Sequence, residues 1–413
     1  MENLLHWLWL SLSCTEGGEN FKKLYSRFLS AEAIYNADED AIAAVIGSKN
    51  RDFKKLADKN LDTAKWILDF CRTKNVGILI YESEKYPNSL REIKNPPVLL
   101  YYRGKLPDFN LETFISVVGT RAVSEYGKKN AFYISRDLAK AGAVIVSGMA
   151  VGIDGVALSA AVSEGGKAVA IIGSGIDVCY PAQHKTLARG IVQSGCVMTE
   201  YPPKTKPLKH NFPTRNRIIS ALSLATVVIE GSEKSGALIT ARRAREQGKA
   251  VYALPGNVGN KTSEATNLLI KNGAKPITSA DDLVNDFSET GKLNPFKMLE
   301  PSSRDMISVL KEYEVAALSP SDKVFFRSRR QESKEKATDA PKAEQKTVDG
   351  DKIRSLPREL RDIYDKIPEN EAVAQDTLLS DKVTMRELMR ALLRLEIKGL
   401  VTLLPGECVK RNS

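Results

Sequence analysis

Between residues 115 and 278 short apolar runs free of charge alternate with amphipathic stretches. The runs are Ile115–Val118, Ala143–Val146, Ala168–Ile172, Cys196–Met198, Ala225–Ile229 and Ala250–Ala253. A strand buried on both faces must read this way, because neither face meets water. The stretches between them repeat apolar residues at helical spacing, as Ala131, Ile134, Leu138 and Ala141 do within 127–141. Residues 154–164, 181–193, 214–222 and 235–247 follow the same rule, and Pro181 suits a first helical turn. Strand and helix in regular alternation predict an α/β domain, doubly wound around a mostly parallel sheet. Four of the apolar runs lead directly into small-residue turns, and such turns gather along one sheet edge, where ligands bind.

The flanks read differently. Residues 1–75 predict short helices, with Asp38 capping 39–45 and Leu61, Ala64, Trp66, Leu68 and Phe70 partly facing inward. The turn at Ile46-Gly47 suits a sterile-alpha-motif or helix-hairpin-helix type of module, which packs against partners or grips a DNA backbone. Residues 76–290 form the α/β domain and begin with an entry β-segment, Gly77–Tyr81 and Pro96–Tyr102, whose prolines suggest an edge position. One more helix is expected within 298–315. Residues 291–352 are a linker, and 327–352 carry too few large apolar residues to order themselves. Order returns at 353–413. Leu356, Leu360 and Ile363 mark a helix, and Thr384 with Glu387 forms a capping box for a second. Leu388, Leu392 and Leu395 give that helix an apolar stripe, Gly399 ends it, and 400–410 predict a hairpin. That order suggests a winged helix, whose Arg386, Arg390 and Arg394 either read phosphates or solvate a surface.

Composition narrows the function classes. The 413 residues exceed one compact core. The 61 Lys and Arg outnumber 51 Asp and Glu, a net charge of +10 that favours a polyanionic partner. Cys14, Cys71, Cys179, Cys196 and Cys408 form no paired spacing, which points to free thiols in a reducing cytoplasm rather than zinc or disulfides. No apolar run reaches the roughly 18 residues that span a membrane. No Walker-type loop is present, and the three histidines, His6, His184 and His210, form no nucleophilic triad with other residues. Asp154, Asp177, Glu200 and Glu230 lie near the strand ends, where carboxylates cap helices or hold cations more often than they bind a metal. Neither a metal nor a cofactor is expected.

Candidate chemistry lies on the turns. Gly148, Gly152 and Gly155, then Gly173 and Gly175, permit close backbone approach to a phosphate, or only a tight turn. Ser235-Gly236 through Thr240 opens a helix, so it is an anion site or an ordinary cap. Lys204, Lys206, Lys209, Arg215 and Arg217 crowd around Phe212. Cations spaced about an aromatic hold the phosphates of a single strand while the ring stacks a base. Arg121 and Lys185 reach the same edge. The plain alternative is a solvated basic loop with its ring buried.

These motifs together resemble the DprA family, also called Smf, the DNA-processing proteins of bacterial natural transformation. The resemblance rests on Val118 to Arg121, Ser147 to Ala150, Gly152 to Asp154, Tyr180-Pro181, Glu200 to Pro202, Phe212 to Ile219, Ser235 to Ala241 and Pro255-Gly256. It implies an extended Rossmann-like domain, a non-enzymatic DNA chaperone that binds single-stranded DNA, a homodimer, and loading of the RecA recombinase in concert with single-strand-binding protein. Carried over by residue, Arg121, Lys185, Lys209, Phe212, Arg215, Asn216 and Arg217 would hold the strand. Gly119, Thr120, Ser147, Gly148, Gly152, Ser235, Gly236 and Thr240 would shape a phosphate pocket. Thr120 stands where the family usually has Ser, and the charged insert before the C-terminal module is a further departure. Residues 269–277 are a weaker candidate for the dimer contact.

Two other readings stand beside this one. A nucleotide phosphoribohydrolase would share the glycine-rich pocket, but it needs an acid near the sugar, and residues 235–243 contain none. A protein-binding adaptor would work through the C-terminal module, and deleting 327–413 would then abolish binding.

Overall fold

In the computed structural model, nine strands form one sheet in the order β1-β2-β6-β5-β4-β3-β7-β8-β9. The structure describes residues 2–14, 19–287, 293–299, 302, 304–315, 357–368 and 373–378. It also describes 388, 391, 392, 395, 396, 400–404 and 408–411. The chain divides into two compact units, residues 1–319 and 320–413.

The first unit opens with six helices: α1 (Glu2–Ser13), α2 (Glu19–Phe28), α3 (Ala31–Asn36), α4 (Glu39–Ile46), α5 (Phe53–Ala57) and α6 (Asp62–Thr73). Asp38 does cap α4, accepting from the Ala41 N–H at 2.7 Å. Trp7, Leu8 and Leu10 of α1 are fully buried. On α6 the inward residues are Ala64, Ile67, Leu68 and Cys71, whereas Trp66, expected inside, is 40% exposed. These helices pack on the sheet domain: Lys22 Nζ donates to the Arg91 and Ile93 carbonyls, and Phe21 meets Tyr81 edge-on at 5.0 Å.

The sheet begins with β1 (Gly77–Ile80), the short α7 (Asn88–Glu92) and β2 (Leu99–Gly104). β1 is the edge strand, while β2 lies one place in, antiparallel to both β1 and β6. The prolines before β2 precede its ladder and so do not confine it to the edge. The core alternates as expected: β3 (Phe114–Val118), α8 (Glu125–Lys140), β4 (Val144–Ser147), α9 (Ile153–Ser163), β5 (Ala168–Ile171), α10 (Lys185–Ser194) and β6 (Cys196–Thr199). It continues with α11 (Asn211–Leu222), β7 (Ala225–Val228), α12 (Gly236–Glu246), β8 (Ala250–Ala253), α13 (Glu264–Lys271) and the two-residue β9 (Lys275–Pro276). Residues of β3 to β7 are buried throughout.

All ladders from β6 to β9 are parallel. Strand order runs outward from β3 in one direction through β4, β5 and β6, then reverses through β7, β8 and β9. Right-handed crossovers therefore place α8–α10 on one face and α11–α13 on the other. The fold is the doubly wound, Rossmann-like one. The reversal opens a crevice beyond the ends of β3 and β7, where the Thr120 N–H donates to the Glu230 carbonyl at 2.8 Å. Helices α14 (Ala280–Asp286) and α15 (Met306–Glu312) close the unit, the latter within the stretch where one more helix was expected.

The second unit holds α16 (Arg358–Asp365) and a three-stranded sheet of β10 (Val373–Ala374), β11 (Val401–Leu404) and β12 (Cys408–Arg411). β11 and β12 pair as the expected antiparallel hairpin. Leu360, Ile363, Leu388, Leu392 and Leu395 share one buried cluster. The predicted cap Thr384–Glu387, Arg386, Arg390, Arg394, Gly399 and the linker 327–352 lie outside the described residues. Among the described residues no helix is long and apolar enough to cross a membrane.

Candidate nucleic-acid interface

Phe212 is the second residue of α11, and its neighbours explain its pose. Asn211 is buried and donates through Nδ2 to the Gly173 carbonyl at 2.9 Å, pinning the start of α11 to the turn after β5. A Cβ on Gly173 would come 3.2 Å from the Phe212 ring, so the absence of a side chain there seats the ring. The ring is only partly buried. The exposed Arg121, in the turn after β3, places its guanidinium 5.4 Å from the ring centroid. Tyr180, 42% exposed, packs against the same ring at 5.8 Å. In the sequence Tyr180 stands out only as half of a Tyr-Pro step at a strand-end turn, to which no binding role is attached.

The loop before α11 carries the exposed Lys204, Lys206 and Lys209. Backbone bonds fix its shape: Gly175 N–H to Thr205 O at 2.9 Å and Lys204 N–H to an Asp177 carboxylate oxygen at 2.8 Å. Lys204 also reaches across to α6, its Nζ 4.6 Å from the Trp66 ring centroid. Lys185 is exposed at the start of α10. Arg121, Lys185, Lys209 and Phe212 all leave β-strand ends on the same edge, with the positive N-terminus of α11 among them.

Arg215 and Arg217 do not join them. Each is at least 97% buried, because their positions on α11 turn inward onto waiting acceptors. Arg217 forms a two-pronged pair with Glu200, both bonds at 2.6 Å, and also donates to the Asn95 and Thr214 carbonyls. Burial works to lower its pKa, but the Glu200 carboxylate prevails and holds it above the usual value. Arg215 donates to the Gly148 and Ile171 carbonyls and lies beneath the ring, 5.9 Å from its centroid. Burial lowers its pKa to about 10 against the opposing pull of Asp154. The expectation that both arginines face a strand is therefore corrected: they brace the loop from inside. Asn216 between them is half-buried.

The expected phosphate pocket is also rearranged. The Gly119, Gly148 and Ala150 N–H groups donate to the carboxylate of Asp154, which is itself buried. Burial pushes the Asp154 carboxyl upward, while Arg215 and those three donors pull it back. An internal carboxylate thus occupies the cradle expected for phosphate. A Cβ at Gly148 would lie 2.6 Å from both Asp154 Oδ2 and Arg215 Nη2. Ser147 is buried and donates to the Val117 carbonyl, and Thr240 is buried within α12. Gly152 has φ of +86° and supports the Arg121 turn, since a Cβ there would lie 2.3 Å from the Thr120 carbonyl. Thr120 Oγ1 accepts from the Ala122 N–H. Ser235 caps α12 by accepting from the Ala237 N–H at 3.2 Å, and Gly236 beside it is exposed. Of the expected pocket, Gly119, Thr120, Ser235 and Gly236 are not fully buried, and the Gly119 N–H is already taken by Asp154.

A model of the DNA recombination-mediator protein A family matches residues 77–288, the whole sheet domain. This chain belongs to that family. It is 31% identical to protein Smf of Synechocystis, over 98% of both chains. It is 41% identical to the DNA processing protein DprA of Streptococcus pneumoniae over 55% of this chain and 79% of that one. The solved structure of the Streptococcus pneumoniae DprA superposes with a TM-score of 0.57 at 35% identity, covering 65% of this chain and 92% of that one. Family membership gives the basic, aromatic edge a DNA-processing context.

Proposed function

We propose that this protein binds single-stranded DNA along the edge carrying Arg121, Lys185, Lys209 and Phe212, and hands the strand to RecA during natural transformation. The observation that carries the reading is the exposed guanidinium of Arg121 beside the part-exposed Phe212 ring, flanked by exposed lysines. A ring can stack any unpaired base, while cations track the phosphates without reading sequence. Thr120, Ser235 and Gly236 extend the phosphate track. The protein acts in the cytoplasm as a homodimer, with residues 269–277 in the contact, and cooperates with single-strand-binding protein.

Binding without catalysis is supported by the state of the nearby carboxylates. Glu200 is held by Arg217, Asp154 by backbone N–H groups and Arg215, Asp177 by the Lys204 N–H, and Glu230 by the Ser124 N–H and hydroxyl. A general acid must be free to meet its substrate. The test is an anisotropy titration of single- and double-stranded oligonucleotides at two salt concentrations, with wild type and Arg121→Ala. Preference for the single strand, lost in the variant, is the expected result. Equal binding of both forms, or release of free base from a nucleoside monophosphate, would reverse the reading. RecA loading is read separately, as faster filament growth on a strand pre-coated with single-strand-binding protein.

A further inference from the structure

The constellation around Phe212 occurs a second time, on the helical module. Trp66 of α6 is 40% exposed and packs against Phe70 one turn on, ring centroids 5.6 Å apart. Lys204 Nζ lies 4.6 Å from the Trp66 ring centroid. Phe212 has the same company: a second aromatic, Tyr180, at 5.8 Å and a cation, Arg121, at 5.4 Å. The core does not require the indole, since Ala64, Ile67, Leu68 and Cys71 make the inward side of α6. The backbone fixes Lys204 in place. Its φ of +63° lies in the left-handed region that residues with a side chain rarely adopt. The bond from its N–H to the Asp177 carboxylate holds it there. Asp177 also acts on the buried Cys71 thiol of α6, so this anchor lies beside the helix.

One loop joins the two ring clusters. It meets Trp66 at Lys204, carries the exposed Lys206 and Lys209, and ends at Phe212. The α6 helix adds no surplus negative charge, because Asp62 and Asp69 are paired with Lys65 and Arg72. An exposed indole at one end, a ring at the other and lysines between suit an unpaired strand, whose bases stack and whose phosphates attract cations. We infer that Trp66 and Phe70 form a second stacking station, so that the helical module holds the strand jointly with the sheet domain. Lys204 turns from the indole to a phosphate as the base arrives, exchanging one exposed cation contact for another. This inference rests on the single-strand reading above.

Trp66 supplies its own probe. The chain has three tryptophans, and Trp7 and Trp9 are 0% and 3% exposed, so a strand reaches only Trp66. The test follows tryptophan emission and affinity over a length series of oligothymidylates. Long strands should quench the emission. Trp66→Leu should abolish the quench and weaken long-strand binding about tenfold, the loss of one stacked base. The shortest strands that bind should be held equally by both proteins. Trp66→Phe, which keeps a ring, should restore most of the long-strand affinity. Lys204→Gly, which suits the left-handed backbone, should lower the salt slope by about 0.7 for long strands alone. Unchanged emission with strand bound, or equal long-strand affinity in wild type and Trp66→Leu, would overturn the second station and leave binding at Phe212 intact. A Trp66→Leu loss that is the same at every length would assign Trp66 to the fold rather than to the strand, and equally overturn it. Failure of wild type to bind any strand would instead defeat the proposed function, and this inference with it.

Discussion

The Arg121 guanidinium and the Phe212 ring lie 5.4 Å apart, although one follows β3 and the other opens α11. The contact spans β4, the one strand between β3 and β5, whose following turn seats the ring. Phe212→Ala and Arg121→Ala are each expected to weaken single-strand binding by about 1–3 kcal/mol. The double variant should lose about 0.5–1 kcal/mol less than the sum, because each group steadies the other. A double-mutant cycle by anisotropy measures the difference; strict additivity would mean that the two act independently.

Lys185 and Lys209 are exposed and free to trade counterions for phosphates. Removing either should reduce the slope of log K against log salt by about 0.7, the value for one single-strand phosphate. Titrations at four salt concentrations give the slope. Unchanged slopes would place the strand elsewhere.

Arg217 behaves differently. Arg217→Met leaves Glu200 half-buried without its partner, a loss of about 3–5 kcal/mol of stability. Lys209→Ala should change stability by less than about 0.5 kcal/mol while weakening binding. Urea unfolding of the two variants separates the inner brace from the outer contact. Equal stabilities would remove Arg217 from its bracing role.

Gly152→Ala should weaken strand binding with no charged group removed. Its φ of +86° disfavours any side chain, and the new Cβ would lie 2.8 Å from the Arg121 Cα. A stability loss above about 1 kcal/mol should accompany the displaced Arg121. Gly142→Ala is the control, since its φ of +99° carries the same backbone strain, but nothing lies within 4 Å of its Cβ and it sits before β4, away from the binding edge. Thermal melts paired with titrations provide the readout.

His184 is fully buried, its Nδ1 2.9 Å from the Met149 carbonyl, while Nε2 faces the Val315 backbone without a bond of ordinary geometry. Burial holds its pKa below the ordinary 6.5. The unfolded chain therefore takes up this proton first as pH falls. The stabilising contribution of neutral His184 is present above about pH 6.5 and is lost as pH falls towards its folded pKa, at up to about 1.4 kcal/mol per unit. Melting temperatures between pH 7.5 and 5.5 should drop more in wild type than in His184→Gln. Parallel curves would assign the acid loss to other groups.

Much of the architecture was legible because its signals are local. Uncharged runs of three to five residues, alternating with amphipathic stretches, read as strands covered on both sides, so β3 to β8 fall within one or two residues of expectation. Asp38 needs only its own backbone neighbours to cap α4. The exposed Lys209 and part-exposed Phe212 were legible too, since a basic loop leading out of a strand must emerge at the sheet edge.

The amino-acid order by itself determined the alternation of buried strands and helices, and with it the edge on which cations and an aromatic ring gather. Tertiary structure alone decided which cations stay outside. Arg215 and Arg217 look no different in sequence from Lys209, but α11 turns them towards Glu200, Asp154 and distant carbonyls that chain order does not place beside them. The glycine cradle was decided the same way. Its N–H groups bind whichever anion the fold brings closest, and the first turn of α9 delivers Asp154 there.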